Sequence, residues 1–387
     1  MVEPETGALP RVESETAPYT GTHASKRPGE TPRLGDAIAR SRQRARRASD
    51  RFRSEERREL RYLLSIAMAV MCSWTTMLLP PPVRRWVADR LGDAFFRLSK
   101  TYRENVIANV EHVLPVGTSE LVIRGAARHI FRESARNFAD LLLTPRRSRE
   151  SIIRSLTLVE GDWSYIERPL AEGRGVVLFT AHLGAFDYIG QAMSIRGYNL
   201  TSVTGRTAAR FIFDAVTYLR RSHGAGIVQA TPSGIRKVMH ALRRGECAAF
   251  VTDYDFFQNG RPVTFFGKTT TLPPGAVRIA RDTGATIVGV FARRTDHGYD
   301  MTLTRPLIID KTDDLDADLD HGLTKIVDLL EQAIGATPDQ WVMFQRVWPL
   351  GPIDPVRVFP VGSPLESELL ERVGAVLPGP RSPQKPG

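Results

Sequence analysis

From residue 156 to residue 304 the chain alternates short apolar runs with longer amphipathic ones, and that rhythm restricts the fold more than any other feature. The short runs read as strands at 156–159, 176–180, 200–203, 226–229, 247–252, 286–291 and 301–304. Helical segments separate most of them, at 163–172, 186–196, 208–223, 233–243 and 274–283, and another follows at 319–334. This alternation predicts an α/β domain with a mostly parallel central sheet flanked by helices on both faces. Such sheets seat their ligands outside the carboxyl ends of the strands.

One stretch then stands out. Val176-Val177-Leu178-Phe179 reads as a buried strand, and Thr180-Ala181-His182-Leu183-Gly184-Ala185-Phe186-Asp187 follows it. His182 falls just past the strand end, and Asp187 opens the next helix. On one continuous helix, residues five apart point about 140° away from each other, at roughly 100° per residue. The pair meets only across a turn, which Gly184 permits. Read as chemistry, His182 is a general base and Asp187 the carboxylate that fixes its tautomer. Read as structure, a histidine closes a strand end and an aspartate sits at a helix N-terminus. The spacing leaves both readings open.

Other candidates lie at the ends of later strands. Arg206 follows the strand at 200–203, and Arg220 closes the next helix; arginines there suit a phosphate or carboxylate, or a plain surface. Asp253, in Phe250-Val251-Thr252-Asp253-Tyr254-Asp255, either orients a base, binds substrate or caps a loop. Phe265 and Phe266 sit in a Gly- and Thr-rich loop, where they line an acyl channel or tack the loop to the core. Arg346 belongs to the aromatic closing segment 340–349.

Ahead of the sheet, residues 1–39 read as a disordered tail. Residues 40–83 combine an arginine-crowded segment with an uncharged run at 62–79, near the minimum length of a membrane span. Arginine on one side fits a positive-inside anchor, whereas Arg84 and Arg85 on the other fit a helix lying in the interface. A buried core helix is the third reading. Two or three helices should follow between 83 and 143, with Ser119 as an N-cap. Residues 84–350 form the main domain, and 351–387 a Pro-rich tail with a short helix at 366–373. The net charge of +10 calls for an anionic partner. With few aromatics interleaved in the basic block and no familiar nucleic-acid module, that partner is expected to be anionic membrane lipid. The two cysteines and scattered histidines give neither a disulfide framework nor a zinc spacing, so no metal or redox cofactor is expected.

Taken together, ordered motifs over residues 102–350 resemble a known family. These are Thr101-Tyr102-Arg103-Glu104-Asn105 with its continuation to Pro115, Ala181-His182-Leu183-Gly184-Ala185-Phe186-Asp187, the Gly245–Asp255 block, the Phe265-Phe266-Gly267 block, and Gln340-Trp341 through Arg346. They are similar to the bacterial lipid A biosynthesis (lauroyl/myristoyl-type) acyltransferases and the related phosphatidylinositol mannoside acyltransferases. The resemblance implies a glycerolipid-acyltransferase-like domain over 84–350. It implies acyl transfer from an acyl carrier protein or acyl-CoA to a glycolipid hydroxyl, at the cytoplasmic face of the inner or plasma membrane. It makes His182 the general base, Asp187 its partner, and Arg206, Arg220, Asp253, Phe265, Phe266 and Arg346 candidate substrate or structural contacts. The chain departs from the family pattern in reading Ala185-Phe186-Asp187 for Asn-Trp-Glu, Gly205 where mannoside acyltransferases place a glutamate, and Gln345 where many members carry histidine. Two competing readings are a thioesterase-type hydrolase using the same dyad and a non-catalytic membrane-binding protein.

Overall fold

The computed structural model describes residues 59–205 and 210–348. The expected N-terminal tail, the arginine block through Arg58, Arg206, and the C-terminal tail with its short helix lie outside the described residues. Helix α1 spans Glu59–Leu78. It is followed by α2 (Pro81–Leu98), α3 (Lys100–Val113), α4 (Glu120–Leu143) and α5 (Arg149–Arg154). Two prolines, Pro81 and Pro82, occupy the first turn of α2, where a missing N–H costs nothing. The Ser119 hydroxyl accepts a bond from the Val122 amide and caps α4, as its position predicts.

Strands and helices then alternate: β1 (Leu156–Glu160), α6 (Ser164–Ala171), β2 (Val176–Thr180), α7 (Phe186–Ile195), β3 (Leu200–Thr204), α8 (Arg210–Arg220), β4 (Gly226–Gln229), α9 (Pro232–Arg243) and β5 (Cys247–Val251). After β6 (Arg261–Phe265) and β7 (Lys268–Leu272) come α10 (Gly275–Thr283), β8 (Thr286–Thr295), β9 (Gly298–Leu303) and α11 (Leu315–Ala336). The main sheet has seven strands in the order β1-β9-β8-β2-β5-β3-β4. All neighbours are parallel except β8 and β9, which are antiparallel. The sheet is therefore mainly parallel, with β9 and β1 reversed at one edge.

The period of two along β2 divides the core. Val177 and Phe179 pack into a cluster with α9, α10 and α11, while Val176 and Leu178 pack with Ile166 of α6 and Ile189 and Met193 of α7. Burial on both faces explains why this strand is apolar throughout. A further cluster joins α3 and α4 through Val106, Val110, Ile130 and Phe131. Leu121 and Phe138, apolar residues of the same helix α4, are exposed.

The stretch 260–274, expected as a loop, is the antiparallel β6–β7 hairpin. Its two-residue turn, Phe266-Gly267, has positive φ at both positions, the geometry that matches strand twist. Phenylalanine is costly at such a φ, and the hairpin was hidden by that choice. Burial of the Phe266 ring and its amide bond to Glu331 Oε1 (2.5 Å) hold it there.

Candidate active site

His182 lies two residues beyond the carboxyl end of β2, as expected. Asp253 lies two residues beyond β5. The two strands pair in parallel register, Val176 with Cys247 through Thr180 with Val251, so the same offset sets His182 opposite Asp253. The His182 Nδ1–H donates to Asp253 Oδ1 and its backbone N–H to Oδ2, both at 2.8 Å. The Trp341 indole N–H also donates to Oδ2 at 2.8 Å. Both Asp253 and Trp341 are buried. Burial alone would push the Asp253 carboxyl up; the facing imidazole and the three donors hold it below its ordinary value.

The imidazole edge beyond this bond is open. Among the described residues nothing hydrogen-bonds His182 Nε2, and the side chain is 23% exposed. Phe186 and Phe256 bracket the ring at 5.2 and 5.9 Å between centroids. The histidine thus sits between apolar rings with one nitrogen clamped and the other free.

Asp187 does not take the partner expected from its spacing. It lies in the first turn of α7, and its Oδ1 accepts from Arg220 Nε at 2.7 Å, joining α7 to the end of α8. The turn at Gly184 does form, with φ +51°, but it carries the helix away to α8. A Cβ at Gly184 would stand 2.0 Å from the Ala292 carbonyl oxygen, so the turn also needs glycine for space.

The loop around His182 is held from three sides. The Gly184 amide donates to the Gln340 carbonyl (2.9 Å), the Ala185 amide to that of Ala292 (3.0 Å), and the Val342 amide to that of His182 (2.7 Å). Asn137 of α4 donates from Nδ2 to the Gly184 carbonyl at 2.6 Å. Arg294 donates in turn to Asn137 Oδ1, Glu133 Oε2 and Asp140 Oδ2, each at 2.7 Å. Burial would push Glu133 up, yet Arg294, His129 and Arg136 bring it down to about 2. The closing segment is clamped by two asparagines of α3. Asn105 donates to the Phe344 carbonyl, and Asn109 donates to those of Met343 and Gln345 while accepting from the Val347 amide.

The remaining candidates separate. Arg220 pairs with Asp187, and Arg346 is exposed at the end of the clamped segment. Phe265 and Phe266 are buried core residues, stacked among Trp341 and Trp348, because the hairpin folds them inward. They tack the hairpin down; the aromatic rings beside the histidine are Phe186 and Phe256. Sequence reasoning passed over Glu133, Asn137 and Asp140 on α4, whose bonds to Gly184 and Arg294 span 47 to 161 residues. Among the described residues no cluster of three or more His, Cys, Asp or Glu side chains is arranged to hold a metal.

An imidazole oriented by a buried carboxylate, with its outer nitrogen open at the end of a parallel sheet, has the geometry that general-base chemistry requires. The family described as bacterial lipid A biosynthesis acyltransferase matches residues 51–349, and the chain belongs to that family. A phosphatidylinositol mannoside acyltransferase of Mycobacterium tuberculosis is 24% identical over 217 residues, covering 55% of this chain and 67% of that protein. One from Mycolicibacterium smegmatis is 24% identical over 221 residues, 55% of this chain and 69% of that protein. A lipid A biosynthesis acyltransferase of Haemophilus influenzae is 24% identical over 181 residues, 46% and 55% of the two chains. The protein is thus an enzyme of the acyltransferase class.

Proposed function

We propose that the protein transfers a fatty acyl chain from a thioester, on an acyl carrier protein or coenzyme A, to a hydroxyl of a glycolipid, with His182 as general base and Asp253 as its orienting carboxylate. The observation that carries this reading is the His182–Asp253–Trp341 cluster. Asp253 accepts the Nδ1 proton, so the imidazole lone pair sits on the open Nε2. Nε2 takes the proton of the acceptor hydroxyl as its oxygen attacks the thioester carbonyl carbon. The tetrahedral intermediate collapses by breaking the C–S bond, and the departing thiolate takes the proton back from the imidazolium. Asp253 stays ionised and stabilises the imidazolium. The Gly184 and Ala185 amides are engaged by Gln340 and Ala292, which leaves the first-turn amides of α7, at Phe186 and Asp187, to meet the oxyanion.

The reading includes a membrane surface. Helix α1 is long and apolar enough to cross a bilayer by length and composition. Its buried residues, Ser65, Ala69 and Ser73, recur every four positions, and Ala69 packs with Leu141 of α4 and Ala215 and Leu219 of α8. Leu63, Leu64, Met71, Trp74 and Leu78 are exposed, as are Val83, Trp86 and Leu91 of α2. A helix with small residues inward and large apolar ones outward suits a lipid interface. The arginines of 40–61 would add about 1 kcal/mol for each one placed near anionic lipid. The test compares total lipids from cells carrying the wild-type protein and His182→Ala by mass spectrometry. A glycolipid lighter by one acyl chain in the mutant supports transfer and identifies the acceptor. Unchanged lipids with a folded, membrane-bound mutant overturn the reading, and loss of free fatty acid alone points to a hydrolase.

A further inference from the structure

Where the end of α1, the start of α2, the turn after α4 and the β8–β9 turn meet, the described residues line a half-open cavity of about 360 Å³. That is large enough for a small polar head group. Arg84, Arg146, Arg147 and Arg294 line it, together with Asp140 and Tyr299. The charges do not cancel. Asp140 accepts from Arg294 and from the Tyr299 hydroxyl, and Glu133 takes a second bond from Arg294, so these groups neutralise one another. Among the described residues no carboxylate pairs with Arg84, Arg146 or Arg147. The Arg147 guanidinium donates to the Tyr188 hydroxyl, at 2.8 Å. Arg146 lies over the Trp74 ring at 4.1 Å, and its buried Nε has no hydrogen-bond partner among the described residues. A buried guanidinium N–H without an acceptor, as at Arg146, is costly, and the partly buried Arg84, Arg146 and Arg147 add like charges around one cavity.

We propose that this cavity is a phosphate-binding site, separate from the acyl-transfer centre. A tetrahedral phosphate supplies acceptors on several sides, which suits guanidinium forks arriving from different elements. Its place fits a head group: Met77 lines the cavity, and the exposed Trp74, Leu78, Val83 and Trp86 flank it along α1 and α2. One wall also reaches the catalytic loop, because Arg294 holds Asn137 and Asn137 holds the Gly184 carbonyl. The phosphate belongs either to an anionic lipid or to a soluble phosphate compound, and the two share this chemistry.

The experiment is titration calorimetry on the full chain in neutral detergent, with inorganic phosphate and with glycerophosphoglycerol as probes. Wild type is compared with Arg84→Ala/Arg146→Ala and with Arg84→Lys/Arg146→Lys, the fold of each checked by circular dichroism. The N-terminal arginines are common to all three, so the difference isolates the cavity. Wild type should bind at least one probe. The alanine pair should bind it about tenfold or more weakly, given the strength of charge-assisted hydrogen bonds, and the lysine pair should fall between. Tighter binding of the phosphodiester assigns the site to a lipid head group; tighter binding of inorganic phosphate assigns it to a soluble phosphate. Equal binding by wild type and a folded alanine pair, or no binding by wild type, overturns the proposal. His182→Ala should lose acyl transfer and keep this binding, so failure of one reading is distinguishable from failure of the other.

Discussion

Asp187 and Asp253 are both aspartates close to the strand-end histidine, one near in sequence and one far, and the fold uses them differently. Asp187 is five residues from His182, yet it is partly exposed and bonded to Arg220. Asp253 is 71 residues away, fully buried, and bonded to both the ring and the backbone of His182. Nearness along the chain puts a residue on the next element, and here that element leaves the strand end and packs on α8. Parallel register puts a distant residue on the neighbouring strand at the same depth. The site is therefore a property of the sheet.

The largest expected effect breaks the comparison on the Asp253 side. Asp253→Asn keeps the shape but leaves the imidazole tautomer unfixed, and should lower kcat on the order of 10²- to 10⁴-fold. A steady-state assay of thiol release with a glycolipid acceptor checks it. Next comes the turn that separates the two carboxylates. Gly184→Ala places a methyl against the Ala292 carbonyl at a positive φ, and should cost roughly 2–3 kcal/mol, read as a lower denaturant midpoint.

Trp341→Phe sharpens the same side with a smaller change, about tenfold, because one donor to Asp253 is lost. Its sign follows from the titration. Asp253 is held below its ordinary value, so its ionised form, and the stability it brings, is present above the usual carboxylate range and lost as pH falls through the depressed value. Removing a donor raises that value, so the acid limb of the pH–rate profile should move to higher pH. The smallest effect is expected on the other side. Asp187→Asn should leave kcat within about tenfold and cost roughly 1 kcal/mol through the loss of a partly exposed pair with Arg220. A thermal melt and the same rate assay check both halves.

Much of this was legible in the residues, in a way that depends on range. The strands from β1 to β5 and the position of His182 follow from local periodicity, and the main sheet is mainly parallel as that rhythm requires. Asp253 was visible as a strand-end aspartate; the shared spacing was not, because the strand read as 247–252 ends at Val251, which sets Asp253, like His182, two residues past a strand. What local pattern does not carry is which strands are neighbours, and β2 pairs with β5 while skipping β3 and β4. The same limit hid Glu133, Asn137 and Asp140, which look like ordinary polar positions on an amphipathic helix until Arg294 arrives from β8. It also left Phe265 and Phe266 undecided, because a hairpin turn occupied by phenylalanine carries no usual turn signal.

The most direct measurement of the dyad is a double-mutant cycle on the rate of acyl transfer, using His182→Ala, Asp253→Asn and the two combined. If Asp253 acts through His182, the double mutant should be no slower than His182→Ala alone, because a carboxylate has nothing to orient once the imidazole is gone. Losses that multiply in the double mutant would show that Asp253 acts independently of the histidine, and would contradict the assignment.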